Sequence, residues 1–194
     1  MTHKIHELRL EELTELEREL FELYLETEGF KKHAPSHHER DYIRPYIKDI
    51  LKVRDKINIL DLGCGDANAL RETKKEFGDR VYTVGVDIGT PPEHLSEQDL
   101  SYVDEYVTTP MEFLPLEWSN RFDYIASLQG LRYTFFPFRV LSEASRVLDK
   151  GGETHIDSYY DAHWNRCDLF QDDEKKWMEK IKKHKLYDKN YKKR

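Results

Sequence analysis

Asp61, Gly63, Gly65 and Asp87 are the residues whose types and spacing most directly suggest chemistry. They close two apolar runs, one inside ILDLGCGDANAL (Ile59 to Leu70) and one in VYTVGV (Val81 to Val86). Ile57, Ile59, Leu60 and Leu62 read as a buried parallel strand, and Gly63 and Gly65 permit backbone angles and a ligand approach that a side chain would block. From Asp66 onward the pattern turns helical, so a ligand carboxylate would meet free amides and a positive dipole end. No lysine follows to hold a phosphate. The dinucleotide fingerprint needs a third glycine where Asn68 stands, and the phosphate-loop pattern needs Lys and Ser or Thr where Asp66 and Ala67 follow Gly65. The turn therefore suits a nucleoside without a pyrophosphate. Asp87, 24 positions after Gly63, is placed to accept two hydrogen bonds from ribose hydroxyls, as the acid about 20 residues past the glycines of a dinucleotide fold does. A turn or helix cap is the alternative use of a lone Asp after a strand, and its place in this order argues against that.

The stretch resembles motif I of the class I S-adenosylmethionine-dependent methyltransferases, D-x-G-x-G, carried here by Asp61, Gly63 and Gly65. The family often has a further glycine where Ala67 stands. FLPLEWSNRFDYIASLQG (Phe113 to Gly130) resembles the approach to the family's strand 4, with Leu114-Pro115, Phe122-Asp123 and a strand at Tyr124 to Ala126. VLSEASRVLDKGG (Val140 to Gly152) resembles the helix and glycine turn before strand 5, with Lys150 in place of the usual Pro. These landmarks span about residues 42 to 160.

The resemblance implies a Rossmann-like, doubly wound, mostly parallel α/β sheet of order 3-2-1-4-5. It implies S-adenosyl-L-methionine as cofactor and S-adenosyl-L-homocysteine as product, by in-line attack of a nucleophile on the sulfonium methyl. Asp61, Gly63, Cys64, Gly65 and Asp66 would receive the cofactor's methionyl part, Asp87 with Ile88 its ribose side, and Met111, Ser127 and Leu128 the remainder. Many relatives place an acid after strand 3 for the adenine amino group. Thr109 and Pro110 stand there, leaving adenine to Met111 and backbone groups. The acceptor mouth would be lined by Arg132, Tyr133, Tyr159, Asp161, His163 and Trp164. His163 is the leading general-base candidate because its reference pKa is near neutrality, with Tyr133 beside it. A loop histidine in an aromatic surround is the plainer reading of His163.

Around this domain, taken as residues 39–171, Met1 to Glu28 reads as a helix with Leu13, Leu16, Leu20 and Leu23 on one stripe and Phe21 and Tyr24 beside it. It is acidic, with nine Glu against Lys4, Arg9 and Arg18. Packing on its own domain is its simplest role; a lid or a homodimer contact are alternatives. A linker to residue 38 carries His33, His37 and His38, but adjacent histidines point apart and no zinc-type spacing accompanies them, so no metal is expected. A helix from Glu39 to Leu51 follows, in which Tyr42 or Tyr46 could border the cofactor. Strand 5 is placed at Glu153 to Tyr159. Only 35 residues remain after it, so the sheet is expected to stop at about five strands. A charged helix at Asp172 to Lys185 begins the tail, residues 172–194.

The tail has ten Lys or Arg against five acids, while the whole chain carries a net charge of -7. Without a domain-wide positive charge that favours a solvated face over a nucleic-acid contact. No apolar run reaches the roughly 18 residues of a membrane span. Cys64 and Cys167 are solitary thiols, and a reducing cytoplasm is the simplest home. Ser127-Leu128-Gln129-Gly130 replaces the asparagine-proline-proline-tyrosine signature of amino-nitrogen methylation, which favours a small-molecule acceptor. An RNA or protein methyltransferase docking through the tail, or a non-catalytic cofactor-binding or regulatory subunit, are the alternatives.

Overall fold

The computed structural model describes residues 1–22 and 43–156, apart from positions 7, 16, 17, 20, 92, 129, 132, 133 and 135. In chain order its strands and α-helices are β1 (Thr2–Ile5), α1 (Arg44–Ile50), β2 (Ile57–Leu62), α2 (Asn68–Phe77), β3 (Val81–Asp87), α3 (Glu97–Leu100), β4 (Glu105–Thr108), β5 (Phe122–Ser127), α4 (Pro137–Val147) and β6 (Leu148–Ile156). All strand pairs are parallel, in the order β1-β4-β3-β2-β5-β6. Counted from β2, the strands β4-β3-β2-β5-β6 run 3-2-1-4-5, as the resemblance implied, and β1 adds a sixth strand to the five expected.

Strand β2 is central, so both of its faces must be apolar. Ile57 and Ile59 join one cluster with Ile47, Ile50 and Leu70 from α1 and α2. Leu60 and Leu62 point the other way, into a cluster with Val140, Ala144 and Val147 from α4. The two-residue alternation of a strand thus separates the two layers of helices. Among the described residues no helix is long and apolar enough to cross a membrane.

Three boundaries differ from the sequence reading. Residues 2–5, read as the start of a helix, form β1 on the open edge of β4, where Thr2 N–H donates to Asp104 O (3.0 Å) and His6 N–H to Thr108 O (3.2 Å). Satisfying the unpaired edge of β4 outweighs local helix preference there. A single 3-10 turn follows at Leu10–Glu12, and α-helical backbone is found at residues 15, 18, 19, 21 and 22. Leu13 of the expected apolar stripe and Phe21 beside it are buried with Phe113. The helix expected over Glu39 to Leu51 is described over Arg44–Ile50, capped by Ile43 and with a proline in its first turn, while residues 39–42 lie outside the described residues. Strand β6 begins at Leu148, so Gly151 and Gly152 lie inside it. They form an irregularity in the pairing with β5, because Phe122 pairs with Leu148 but Tyr124 with Glu153. Gly151 has φ +82°, which suits glycine, and a Cβ on Gly152 would lie 3.0 Å from Asp123 O. The expected helix at Asp172 to Lys185 lies outside the described residues.

Candidate functional site

The glycine turn leaves β2 at the carboxyl edge of the sheet, where open parallel folds hold their ligands. Gly63 and Cys64 both donate their N–H to Val86 O, at 2.8 and 3.0 Å, so the turn is stitched back onto β3. Gly63 has φ +75° and Gly65 φ +55°, conformations that glycine adopts without cost. A Cβ on Gly63 would lie 3.0 Å from Gly130 Cα and 3.7 Å from the end of Met111; a Cβ on Gly65 would meet nothing within 4 Å. The turn is therefore closed by backbone on one side and open on the other. Ala67, where relatives often have glycine, adopts φ +56° just before α2. A small L-residue there accepts mild strain to keep the left-handed backbone.

Asp87 ends β3 and grips this turn. Its Oδ2 accepts the Gly65 N–H at 2.8 Å and its Oδ1 accepts the Gly89 N–H at 3.1 Å. Opposite it, the Gly65 carbonyl accepts the Tyr106 hydroxyl at 2.9 Å. Ser127, at the end of β5, donates its hydroxyl to Leu62 O at 2.8 Å. A Cβ on Gly130 would come within 2.6 Å of both Leu62 O and Ser127 Oγ, so glycine is required beside the turn. Asp66 accepts the Asn68 N–H at 3.0 Å and faces Arg71 at 3.8 Å.

The sequence-selected residues thus fall into two groups. Gly63, Cys64, Gly65, Asp66, Asp87, Met111 and Ser127 converge around one turn. Asp61 is buried in β2 on the same side, while Ile88 packs into a third apolar cluster with Leu13, Phe21, Phe113 and Phe136. Leu128 follows β5, half-buried. Thr109 is buried, with its hydroxyl donating to Phe113 O at 3.2 Å. Arg132, Tyr133, Tyr159, Asp161, His163 and Trp164 lie outside the described residues, as do Tyr42 and the histidines of the linker. Tyr46 stacks on Tyr124 (6.0 Å) and lies beside His155 (4.7 Å), which places it over β5 and β6.

Two buried groups share the space under the turn. Burial, then the carboxylates of Asp87 and Asp61, pushes the Cys64 thiol well above its ordinary range, which leaves it a packing group and not a nucleophile. Burial, then nearby Cys64 and Asp87, likewise pushes the Tyr106 phenol far up, so it remains a donor. Tyr106 was not selected from the sequence. Its signal was indirect: Gly85 inside an apolar strand marks a close approach, and a Cβ there would sit 2.7 Å from Cys64 Sγ.

A backbone cradle with one carboxylate and an open side fits a nucleoside-type ligand. Comparison with known proteins agrees. The family model described as "Methyltransferase domain" matches residues 60–156, half of the chain. The demethylmenaquinone methyltransferases of Listeria monocytogenes serotype 4a (strain HCC23) and Listeria innocua serovar 6a are each 32% identical over 109 residues, covering 54% of this chain and 45% of theirs. The chain thus spans about half the length of these curated relatives. Among solved structures, the CurJ carbon methyltransferase aligns with a TM-score of 0.52 at 20% identity, over 59% of this chain and 33% of that one. The [4+2]-cyclase SpnF aligns with a TM-score of 0.50 at 21% identity, over 60% and 43%. These two alignments establish the fold.

Proposed function

The chain belongs to the class I S-adenosylmethionine-dependent methyltransferases, and on that basis we propose that it methylates a small-molecule acceptor. The observation that carries this reading is the Gly65 peptide held against Asp87 at the carboxyl edge of β2 and β3. Gly63, Cys64, Gly65 and Asp66, with buried Asp61 behind them, would hold the methionyl part of the cofactor. Asp87 and Ile88 would hold its ribose, and Met111, Ser127 and Leu128 would border the rest. The cofactor supplies a methyl group already activated on a sulfonium. The residues of the chain then have to orient an acceptor toward it and exclude water. His163 is the proposed general base for an oxygen or nitrogen acceptor, with Tyr133 as its companion and Arg132, Tyr159, Asp161 and Trp164 as the acceptor wall.

The small-molecule reading is supported by the curated demethylmenaquinone methyltransferases and by Ser127-Leu128-Gln129-Gly130 after β5. Incubation with methyl-labelled S-adenosylmethionine and two acceptor panels tests it, one of small phenols, quinols and amines, the other of total RNA and protein. Label in a small molecule together with S-adenosylhomocysteine is expected. Label confined to RNA or protein would contradict the reading.

A further inference from the structure

Asp61, Gly85 and Tyr106 lie in one register row across β2, β3 and β4, so their side-chain positions share one face of the sheet. Gly85 leaves a gap in that row, and the Cys64 side chain turns down into it. Tyr106, fully buried beside the gap, is long enough to reach the underside of the glycine turn. Its hydroxyl donates to Gly65 O at 2.9 Å while the Gly65 N–H donates to Asp87 at 2.8 Å.

Both sides of the Gly65 residue are therefore anchored, one by β3 and one by β4. This matters because a glycine at φ +55° has no side chain to hold it, and many other backbone angles are open to it. Released from Tyr106, the turn could rotate and draw its amide off Asp87.

We propose that Tyr106 is a positioning residue for cofactor binding: its hydroxyl fixes the Gly65 turn and, through that turn, the orientation of the Asp87 carboxylate. The inference rests on the cofactor site proposed above and adds a residue to it that does not touch the ligand. The aromatic ring supplies the packing, and the hydroxyl supplies the hydrogen bond to Gly65. Removing the hydroxyl alone separates the two contributions.

The test compares the wild-type chain with Tyr106→Phe and, as control, Tyr82→Phe. Tyr82 also loses a hydroxyl bonded across the sheet, to Glu105 at 2.9 Å, but away from the turn. Affinities for S-adenosylmethionine and S-adenosylhomocysteine are measured by calorimetry well below the melting temperature of each chain, and melting is recorded without ligand. Tyr106→Phe should weaken both ligands about 5- to 20-fold while melting within a few degrees of wild type, and Tyr82→Phe should bind as wild type does. Normal affinity in Tyr106→Phe, or equal weakening in Tyr82→Phe, overturns the proposal and leaves the cofactor site standing. A weakening that comes only with a collapse in melting temperature assigns the hydroxyl to stability and overturns it as well. Failure of the wild-type chain itself to bind either ligand overturns both readings.

Discussion

Amide hydrogen bonds from Gly65 and Gly89 converge on the Asp87 carboxylate, so one side chain both shapes the turn and faces the proposed ribose. Asp87→Ala should weaken S-adenosylmethionine binding by about 1.5–3 kcal/mol, the range for a hydrogen bond to a charged group. Calorimetry reads this as roughly a 10- to 150-fold rise in Kd, and an unchanged Kd would remove Asp87 from the site. Gly63→Val should be more damaging, because its Cβ would crowd Gly130 Cα at 3.0 Å and a β-branched residue resists φ +75°. A variant that binds normally would show that the turn is not where the ligand lies. Gly63, Gly65 and Asp87 were legible in the sequence because each closes an apolar strand. Tyr106 was not, since a tyrosine inside a strand looks like core until its partner across the sheet is known.

Between elements, the N-terminal segment is joined to α4 and the loop before β5 by charge and by packing. Arg9 pairs with Glu12 and with Glu143 at 2.8 Å, Arg146 pairs with Glu143 at 2.8 Å, and Arg139 pairs with Glu12. Glu143 also accepts the Leu114 N–H at 3.0 Å. Beneath this network Phe21, fully buried, meets Phe113 edge-on at 5.2 Å. Phe21→Ala should cost about 3–5 kcal/mol, seen as a lower urea midpoint with an unchanged slope. A midpoint within error of wild type would mean that this segment adds nothing to the fold. The sequence marked Leu13 and Phe21 as apolar positions correctly but gave their segment a single helix from Met1. Only the open edge of β4, formed about a hundred residues later, turns residues 2–5 into a strand. The pair Gly151-Gly152 was similarly visible as a turn signal, while its place inside β6 depends on the register with β5.

At the scale of the whole molecule, buried acids set the response to pH. Burial pushes Glu143 upward, but its hydrogen bond to Arg146, the charges of Arg146 and Arg9 and the Leu114 N–H outweigh it and leave it below the usual glutamate range. Glu105 is lowered in the same way, burial being outweighed by Arg121, Tyr82 and Lys4. A depressed folded-state pKa contributes stability above the unfolded value, about 4.3, and that stability is lost as pH falls through the folded value. Melting temperature should therefore hold between pH 7 and pH 5 and fall below about pH 4.3, with a shallower fall in Glu143→Gln. An identical acid profile in that variant would show that the pair contributes nothing. The strand order was predictable because landmarks at β2, β3, β5 and β6 matched those of a family with that order, although none marked β4. The fold alone does not decide the chemistry, since a [4+2]-cyclase shares it.

The most direct test of the account is calorimetric titration of the purified chain with S-adenosylmethionine and S-adenosylhomocysteine, with NAD as control. Micromolar binding of the first two and none of NAD is the predicted result. Binding of NAD instead, or of none of the three, would contradict the assignment of the glycine turn and Asp87 as a methyltransferase cofactor site.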